Sequence, residues 1–361
     1  SDDMGYDGLL HSIQKSLDYL GMKPPDKSYA FGEDTYSAAH LIRSLEKFRD
    51  FIQTRPSDHA LREFIRSNYR VYRSVGNDTS REVLFTGYYE PFLEGSLQKS
   101  DIYRFPVFGL PEDLVKIDLS VFSDKYAGET LTARLADGMI VPYYDRREIE
   151  AAGVLNDTAP VLAWLKDSVE LFFLQIQGSG RIYLDNGRVI NVHYAASNGR
   201  PYRSIGKLLI DEGKIPRSEM SMQRIKQYLE AHPEEKEKIL FYNPSYVFFK
   251  IEEDGPLGYL DVKLTPGRSI ALDRRLFPLP SLAFIETEKP LVDGSGRIIG
   301  WEKFRRFVIS QDTGGAIRGP GRSDLFWGNG KYAEIAAGHM QHPGQLYLLV
   351  LKPESSADIR P

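Results

Sequence analysis

No cysteine occurs among the 361 residues, so disulfide staples, a thiolate nucleophile and Cys-ligated zinc or iron–sulfur centres are excluded. The redox compartment stays open, because an absence of cysteine fits both cytoplasm and periplasm. No apolar run approaches the roughly 18 residues of a membrane span. The first residues, Ser1 to Met4, carry neither a signal-peptide core nor a lipidation cysteine, and a mature, processed chain reads the same way. Charge of one sign is lacking too: 46 Lys and Arg face 50 Asp and Glu, for a formal net charge of -4. The signs are interleaved, which leaves no basic stripe to track phosphates and excludes nucleic acid as a partner. The densest charged run, Glu234 to Lys238, is mixed and reads as a solvated helix face.

Several cofactor and nucleophile signatures are missing as well. Gly178-Ser179-Gly180 is followed by no Gly-Lys-Ser/Thr and fits no Rossmann spacing, and Ser179 lies in Gln-Gly-Ser-Gly-Arg rather than a nucleophile elbow. His339 and His342 have no His-Glu-x-x-His frame and no third ligand nearby, which reads as surface histidines. No metal or organic cofactor is expected.

What the chain does have is turns and aromatics. With 31 glycines, 21 prolines and 12% aromatic residues, it reads as many short strands joined by turns, long enough for one large or two medium domains. The first quarter is helical: Leu9, Leu10, Ile13, Leu17 and Leu20 recur at helical spacing, as do Leu41, Ile42, Leu45, Phe48 and Ile52. A third helix starts near Ser57 or Asp58. From Val83 to Tyr89 the run is aromatic and β-prone, and Leu171 to Ile176 reads as a buried strand broken by Gly178. Ile182 to Val192 reads as a hairpin around Asp185-Asn186-Gly187. Helices follow at Ser204 to Asp211 and Ser221 to Ala231; from Tyr246 onward the chain reads as strand and loop, with Phe304 to Ile309 and Leu346 to Leu351 the clearest strands. Breaks near Phe105-Pro106 and Asn243-Pro244 make the middle an insertion into a domain built from both ends.

Chemistry concentrates in Ser310 to Gly328, a glycine-dense segment after a strand. Its glycines favour a loop, and that loop is expected to present Asp312 and Asp324 to one cleft. Asp before a glycine-rich stretch is commonly a turn former, so Asp312 reads equally as structural. Asp324 differs. Leu325, Phe326 and Trp327 follow it, surroundings that disfavour a charge and raise a carboxyl pKa toward a value useful for donating a proton. A third aspartate, Asp273, follows a short β-prone stretch from Arg268 to Leu272.

The pattern Ala-Leu-Asp273, then Gln-Asp312-Thr-Gly-Gly-Ala-Ile-Arg-Gly, then Ser-Asp324-Leu-Phe resembles the three-aspartate signature of the 3D domain. Phe85-Thr-Gly-Tyr-Tyr-Glu-Pro91, Gln175-Ile-Gln-Gly-Ser-Gly180, Asn198 to Lys207 and Asn243-Pro-Ser-Tyr-Val-Phe-Phe249 resemble the membrane-bound lytic transglycosylase A family, so the likeness runs from about Arg81 to Lys352. It implies a mainly β protein with N-terminal helices. Residues 1–104 and 244–361 would form a double-psi β-barrel, residues 105–243 an inserted, smaller β-rich domain that binds substrate, with a groove at the junction.

By the same resemblance Asp324 corresponds to the catalytic acid and base, with Asp312 and Asp273 as supporting partners. The implied reaction breaks the bond between N-acetylmuramic acid and N-acetylglucosamine in peptidoglycan and leaves 1,6-anhydro ends. Thr86, Tyr88, Gln175, Gln177, Ser179, Tyr202, Arg203 and Ser204 are the residues whose rings and hydrogen-bonding groups would hold the sugars; singly, Tyr88 or Tyr202 reads as a core aromatic, and the family likeness alone favours a groove. Two rivals stand beside this: an inverting hydrolase with Asp324 as acid and Asp312 as base, and a non-catalytic wall-binding module. The resemblance further implies a periplasmic monomer working on glycan strands, outer-membrane associated in its full-length precursor, with cell-wall synthesis or divisome proteins as candidate partners.

Overall fold

The structure, a computed structural model, describes residues 2–77, 79–155 and 157–353. It divides into two units, Ser1–Tyr89 with Leu257–Pro361, and Glu90–Pro256. Strands Phe92–Ser96 and Val247–Glu252, which lie on the flanking sides of the sequence breaks at 105 and 243, pair into the sheet of the second unit.

In the first unit, helix α1 (Leu9–Gly21) buries Leu9, Ile13, Leu17 and Leu20 along one face, with the small Ser12 and Ser16 between them. Helix α2 (Ala38–Gln53) starts where the Ser37 hydroxyl accepts from the His40 amide, and α3 (Asp58–Asn68) where Ser57 accepts from Ala60. Each cap satisfies an amide that the first helical turn leaves unpaired. Each buried Leu or Ile contributes roughly 1.5–3 kcal/mol.

The centre of this unit is a closed six-stranded barrel. Its strands are β1 (Val83–Tyr88), β2 (Ser269–Ala271), β3 (Leu282–Val292), β4 (Ile298–Asp312), β5 (Arg322–Phe326) and β6 (Gln341–Leu351). The order around the wall is β3-β4-β2-β5-β1-β6, and β6 pairs back onto β3. Closure leaves none of the six with a bare edge. β2 runs parallel to β4 and β1 parallel to β5; the other neighbours are antiparallel. Parallel neighbours cannot be joined by a tight turn, and the chain between β1 and β5 includes the whole second unit.

That second unit holds a six-stranded sheet, ordered Val247–Glu252, Val189–Ser197, Ser179–Leu184, Phe92–Ser96, Val161–Leu165 and Phe105–Phe108. Leu93, Val107, Leu165, Ile182, Leu184, Val192 and Phe249 form its apolar core. The hairpin expected around Asp185-Asn186-Gly187 is present, as are helices Ile205–Asp211 and Met222–Ala231 behind their Ser204 and Ser221 caps.

Three sequence expectations are corrected. Leu171 to Ile176 is not a strand but part of a helix, Ser168–Gln177, capped by Asp167 and ended by Gly178 at φ 79°. Its Leu171, Phe172, Phe173 and Leu174 are all buried, and a helix buried on every side shows no amphipathic period. A second helix, Lys331–His339, lies in the region read as strand and loop; its alanines give little contrast between faces. His339 and His342 are half-buried rather than on the surface: His339 Nδ1 lies 2.9 Å from the Ile335 carbonyl oxygen, and the His342 ring packs 3.9 Å from Trp301.

The N-terminal segment is fastened to the barrel by a buried ion pair. Arg268 donates to both Asp2 oxygens at 2.6 and 2.8 Å, Asp2 also accepts from the Phe307 amide, and both side chains are buried. Removing one partner strands a charge in the interior. Asp2→Ala is therefore expected to destabilise the protein by about 3–5 kcal/mol in urea unfolding; a loss under about 1 kcal/mol would show that water reaches Arg268 when its partner goes.

Candidate active site

Ala271 on β2 is paired with Asp312 on β4 to one side and with Asp324 on β5 to the other, and Asp324 is opposite Thr86 on β1. Neighbouring strands lie about 4.8 Å apart and directly opposed residues share a face. Asp312, Ala271, Asp324 and Thr86 thus form one row across the barrel wall, with the smallest side chain between the two carboxylates. The aspartates expected on a loop stand on strands instead: Asp312 is the last residue of β4 and Asp324 the middle of β5, and the glycine-rich segment only connects them. The short β5 is hidden in the sequence because the glycines before it dominate the local signal, and Asp312 stands at the very end of the long β4, where those glycines begin.

A register shift makes the row. Ile270 is level with Ser310 but Ala271 with Asp312, so Gln311 is passed over. Such a bulge re-aims the side chain that follows it. Gln311 is held by four hydrogen bonds: its Oε1 accepts from the Ser12 and Ser269 hydroxyls at 3.1 and 2.6 Å, and its Nε2 donates to the Ser12 carbonyl and Ser16 hydroxyl at 3.0 and 2.9 Å. The two small serines on the buried face of α1 thereby fix the end of β4 beside the first carboxylate.

Asp312 is well satisfied. Its Oδ2 accepts from the Tyr88 hydroxyl at 2.8 Å, and its Oδ1 accepts from the Thr313 and Tyr259 amides at 2.8 and 2.9 Å. Burial pushes its pKa up to about 6, against the pull of these three donors. Tyr88 is itself raised well above its ordinary value by burial and the neighbouring Asp312, so it stays a donor. Gly87 precedes it because a side chain there would meet Trp327 Nε1 at 2.6 Å.

Asp324 is starved of donors. Its Oδ1 is buried with no hydrogen-bond partner among the described residues, while the side chain as a whole keeps 21% exposure. Arg322 Nη2 stands 3.8 Å from that oxygen, beyond hydrogen-bond reach. Burial pushes Asp324 up to about 6, with Arg322 opposing and Asp312 adding to the rise. Three hydrogen-bond donors favour the charged form of Asp312, whereas Asp324 has only the Arg322 charge at 3.8 Å to favour its own.

Asp273 has a different occupation. Arg275 donates to it at 2.9 and 2.7 Å and the Gly319 amide at 2.9 Å, and the Arg275 guanidinium holds its carboxyl well below the usual range. It clamps the segment that joins β4 to β5. Thr86 and Tyr88 join Asp312 and Asp324 in one cluster. In the second unit Gln175 is buried and accepts from Arg146 Nη2 at 2.5 Å, Ser179 is buried at the start of its strand, and Ser204 caps a helix by accepting from the Lys207 amide. Gln177 is half-buried, Tyr202 keeps 40% exposure, and Arg203 is exposed with its guanidinium 5.8 Å from the Tyr242 ring centre. The sequence reading missed Gln311, Arg322 and the Tyr259 amide, although the first two lie within the segment it singled out.

Two family models match the chain: the MltA specific insert domain over residues 84–250 and the 3D domain over residues 268–350. The membrane-bound lytic murein transglycosylase A of Escherichia coli is 33% identical over 285 residues, covering 78% of this chain and 69% of that protein. Among solved structures, the membrane-bound lytic murein transglycosylase from Agrobacterium tumefaciens is 31% identical with a TM-score of 0.78, over 97% of this chain and 93% of the other. E. coli MltA with bound chitohexaose is 26% identical with a TM-score of 0.72, over 95% and 90%.

A raised carboxyl pKa has a cost in stability. Between the ordinary value of 3.8 and about 6 the folded Asp324 keeps a proton that the unfolded chain has released. Stability is thus fully present below the lower value and falls as pH rises through the upper one. Asp324→Asn cannot ionise, so its stability relative to wild type is expected to be greater at pH 8 than at pH 4 in paired urea titrations. An equal difference at both pH values would mean that Asp324 titrates normally.

Proposed function

The chain belongs to the membrane-bound lytic murein transglycosylase A family, enzymes acting on peptidoglycan, and on that footing we propose that it cuts the β-1,4 bond between N-acetylmuramic acid and N-acetylglucosamine without consuming water. The observation that carries this reading is the unequal treatment of the two carboxylates in one row: Asp312 accepts from three donors, whereas the buried Oδ1 of Asp324 has none among the described residues.

Protonated Asp324 gives its proton to the glycosidic oxygen, the C1–O bond breaks, and C1 of the muramic acid gains oxocarbenium-like character. The resulting carboxylate then takes the proton from the C6 hydroxyl of the same sugar as that oxygen closes on C1, giving a 1,6-anhydro end. The attacking hydroxyl is already tethered, at an effective molarity on the order of 10⁵ M or more, so no second residue has to activate a water. Asp312 suits a base for water poorly, because its Oδ1 is occupied by two amides and its Oδ2 by Tyr88. It serves as a fixed negative charge facing the developing cation. Asp273 serves by holding the β4–β5 connection through Gly319.

For the glycan strand, Gln177, Tyr202 and Arg203 offer side chains that remain at least partly exposed, whereas Gln175, Ser179 and Ser204 shape the backbone that carries them. The relative solved with chitohexaose supports a glycan-holding groove, and the two parallel pairings within the closed barrel support the double-psi arrangement. Peptidoglycan as substrate supports action in the periplasm. Among the described residues no helix is long and apolar enough to cross a membrane.

Digestion of purified peptidoglycan followed by mass analysis tests this directly. Wild type is expected to release fragments one water lighter than hydrolytic products, and Asp324→Asn to lose at least about 100-fold in rate. Tyr88→Phe, which removes one donor from Asp312, is expected to lower kcat more than it raises KM. Reducing ends would establish a hydrolase, and unchanged release from Asp324→Asn would remove this residue from the chemistry.

A further inference from the structure

Asp273 with Arg275 and Arg322 with Asp324 are both spaced two residues apart, and the two pairs behave oppositely. Arg275 closes on Asp273 with hydrogen bonds of 2.9 and 2.7 Å. Arg322 and Asp324 are alternate residues of β5, so their side chains share a face, yet the guanidinium stops at 3.8 Å. Arg322 Nη2 is engaged elsewhere: it donates to Thr86 Oγ1 at 3.2 Å, and Thr86 is the β1 residue directly opposite Asp324. Its Nε is buried with no hydrogen-bond partner among the described residues, as is Asp324 Oδ1. A buried donor and a buried acceptor kept apart on neighbouring side chains is a costly arrangement. The Thr86 hydroxyl accepts from the same guanidinium nitrogen that stands 3.8 Å from Asp324.

We propose that Arg322 is a positioning residue for the proton transfer, tethered by Thr86 at a distance that lets Asp324 hold its proton before cleavage and supports its charge afterwards. The inference rests on the reaction proposed above. A closed pair like that of Asp273 would keep Asp324 a carboxylate and leave no proton to give. With no cation nearby, the carboxyl would hold its proton too firmly to pass it on and then recover another. At 3.8 Å without a shared hydrogen the attraction is intermediate and operates in both halves of the reaction. The other groups facing Asp324 are Asp312 from β4, Tyr88 and Thr86 from β1 and the apolar Ala271 from β2.

Two substitutions should therefore act in opposite directions. Activity that needs protonated Asp324 falls on the alkaline side of its pKa, so kcat/KM has an alkaline limb. Arg322→Met should move that limb to higher pH by about one unit. Thr86→Val should let the guanidinium close on Asp324 and move it to lower pH, while Thr86→Ser keeps the tether and the wild-type midpoint. A midpoint is independent of how much enzyme is active, so partial loss of folded protein does not obscure it; if Thr86→Val fails to fold, Thr86→Ala makes the same comparison. Limbs that stay in place, or that move the same way in both variants, would overturn the inference. ¹³C titration of the Asp324 carboxyl in the same proteins keeps the two readings distinguishable: a wild type that yields no anhydro ends refutes the reaction, while opposed titration shifts still uphold the tether.

Discussion

The site depends on one backbone pairing, the parallel ladder between β1 and β5. It sets Thr86 opposite Asp324 and Leu325 opposite Gly87, and it places Tyr88 within reach of Asp312. Parallel neighbours require a long connection, and here that connection includes an entire second unit. The barrel cannot close without the strand that precedes the insertion, so Thr86, which binds Arg322, and Tyr88, which donates to Asp312, come from a stretch more than two hundred positions away from both partners.

Around that ladder the chain distributes polar satisfaction unevenly. Asp2, Asp273 and Gln311 are bonded at nearly every oxygen or nitrogen they carry, and each fixes a segment: the N-terminus, the β4–β5 connection and the bulge before Asp312. Among the described residues, the buried polar atoms without a hydrogen-bond partner include Asp324 Oδ1, Arg322 Nε, and Thr313 Oγ1 and Trp327 Nε1 just beyond the ends of β4 and β5. Unsatisfied buried groups cost stability, and a framework saturated elsewhere can tolerate them where a reacting partner would complete them. The opposition between Asp312 and Asp324 is the sharpest case: the same side chain in one row, one surrounded by donors and the other deprived of them.

Much of the framework was legible from residue order. Helical spacing marks α1 and α2, the helix starts expected near Ser57 or Asp58 and at Ser204 are present with both serines as caps, and Asp185-Asn186-Gly187 marks a real hairpin. The apolar helix Ser168–Gln177 was misread because burial on all sides erases the period that distinguishes helix from strand. Asp324 reads as loop because a five-residue strand after Gly321 has no room to show alternation, and Asp312 because it ends its long strand where the glycine-rich run begins.

The sequence by itself determined which chemistry was available: no thiol, no basic stripe, and three aspartates in a distinctive frame with apolar residues following the last of them. It could not determine what each aspartate does. That was decided only when the barrel closed, because hydrogen-bond donors and desolvation are properties of neighbours in space. A pKa follows the local field and the local water, and the Thr86 hydroxyl, the Tyr88 phenol and the Tyr259 amide reach these carboxylates only through the fold.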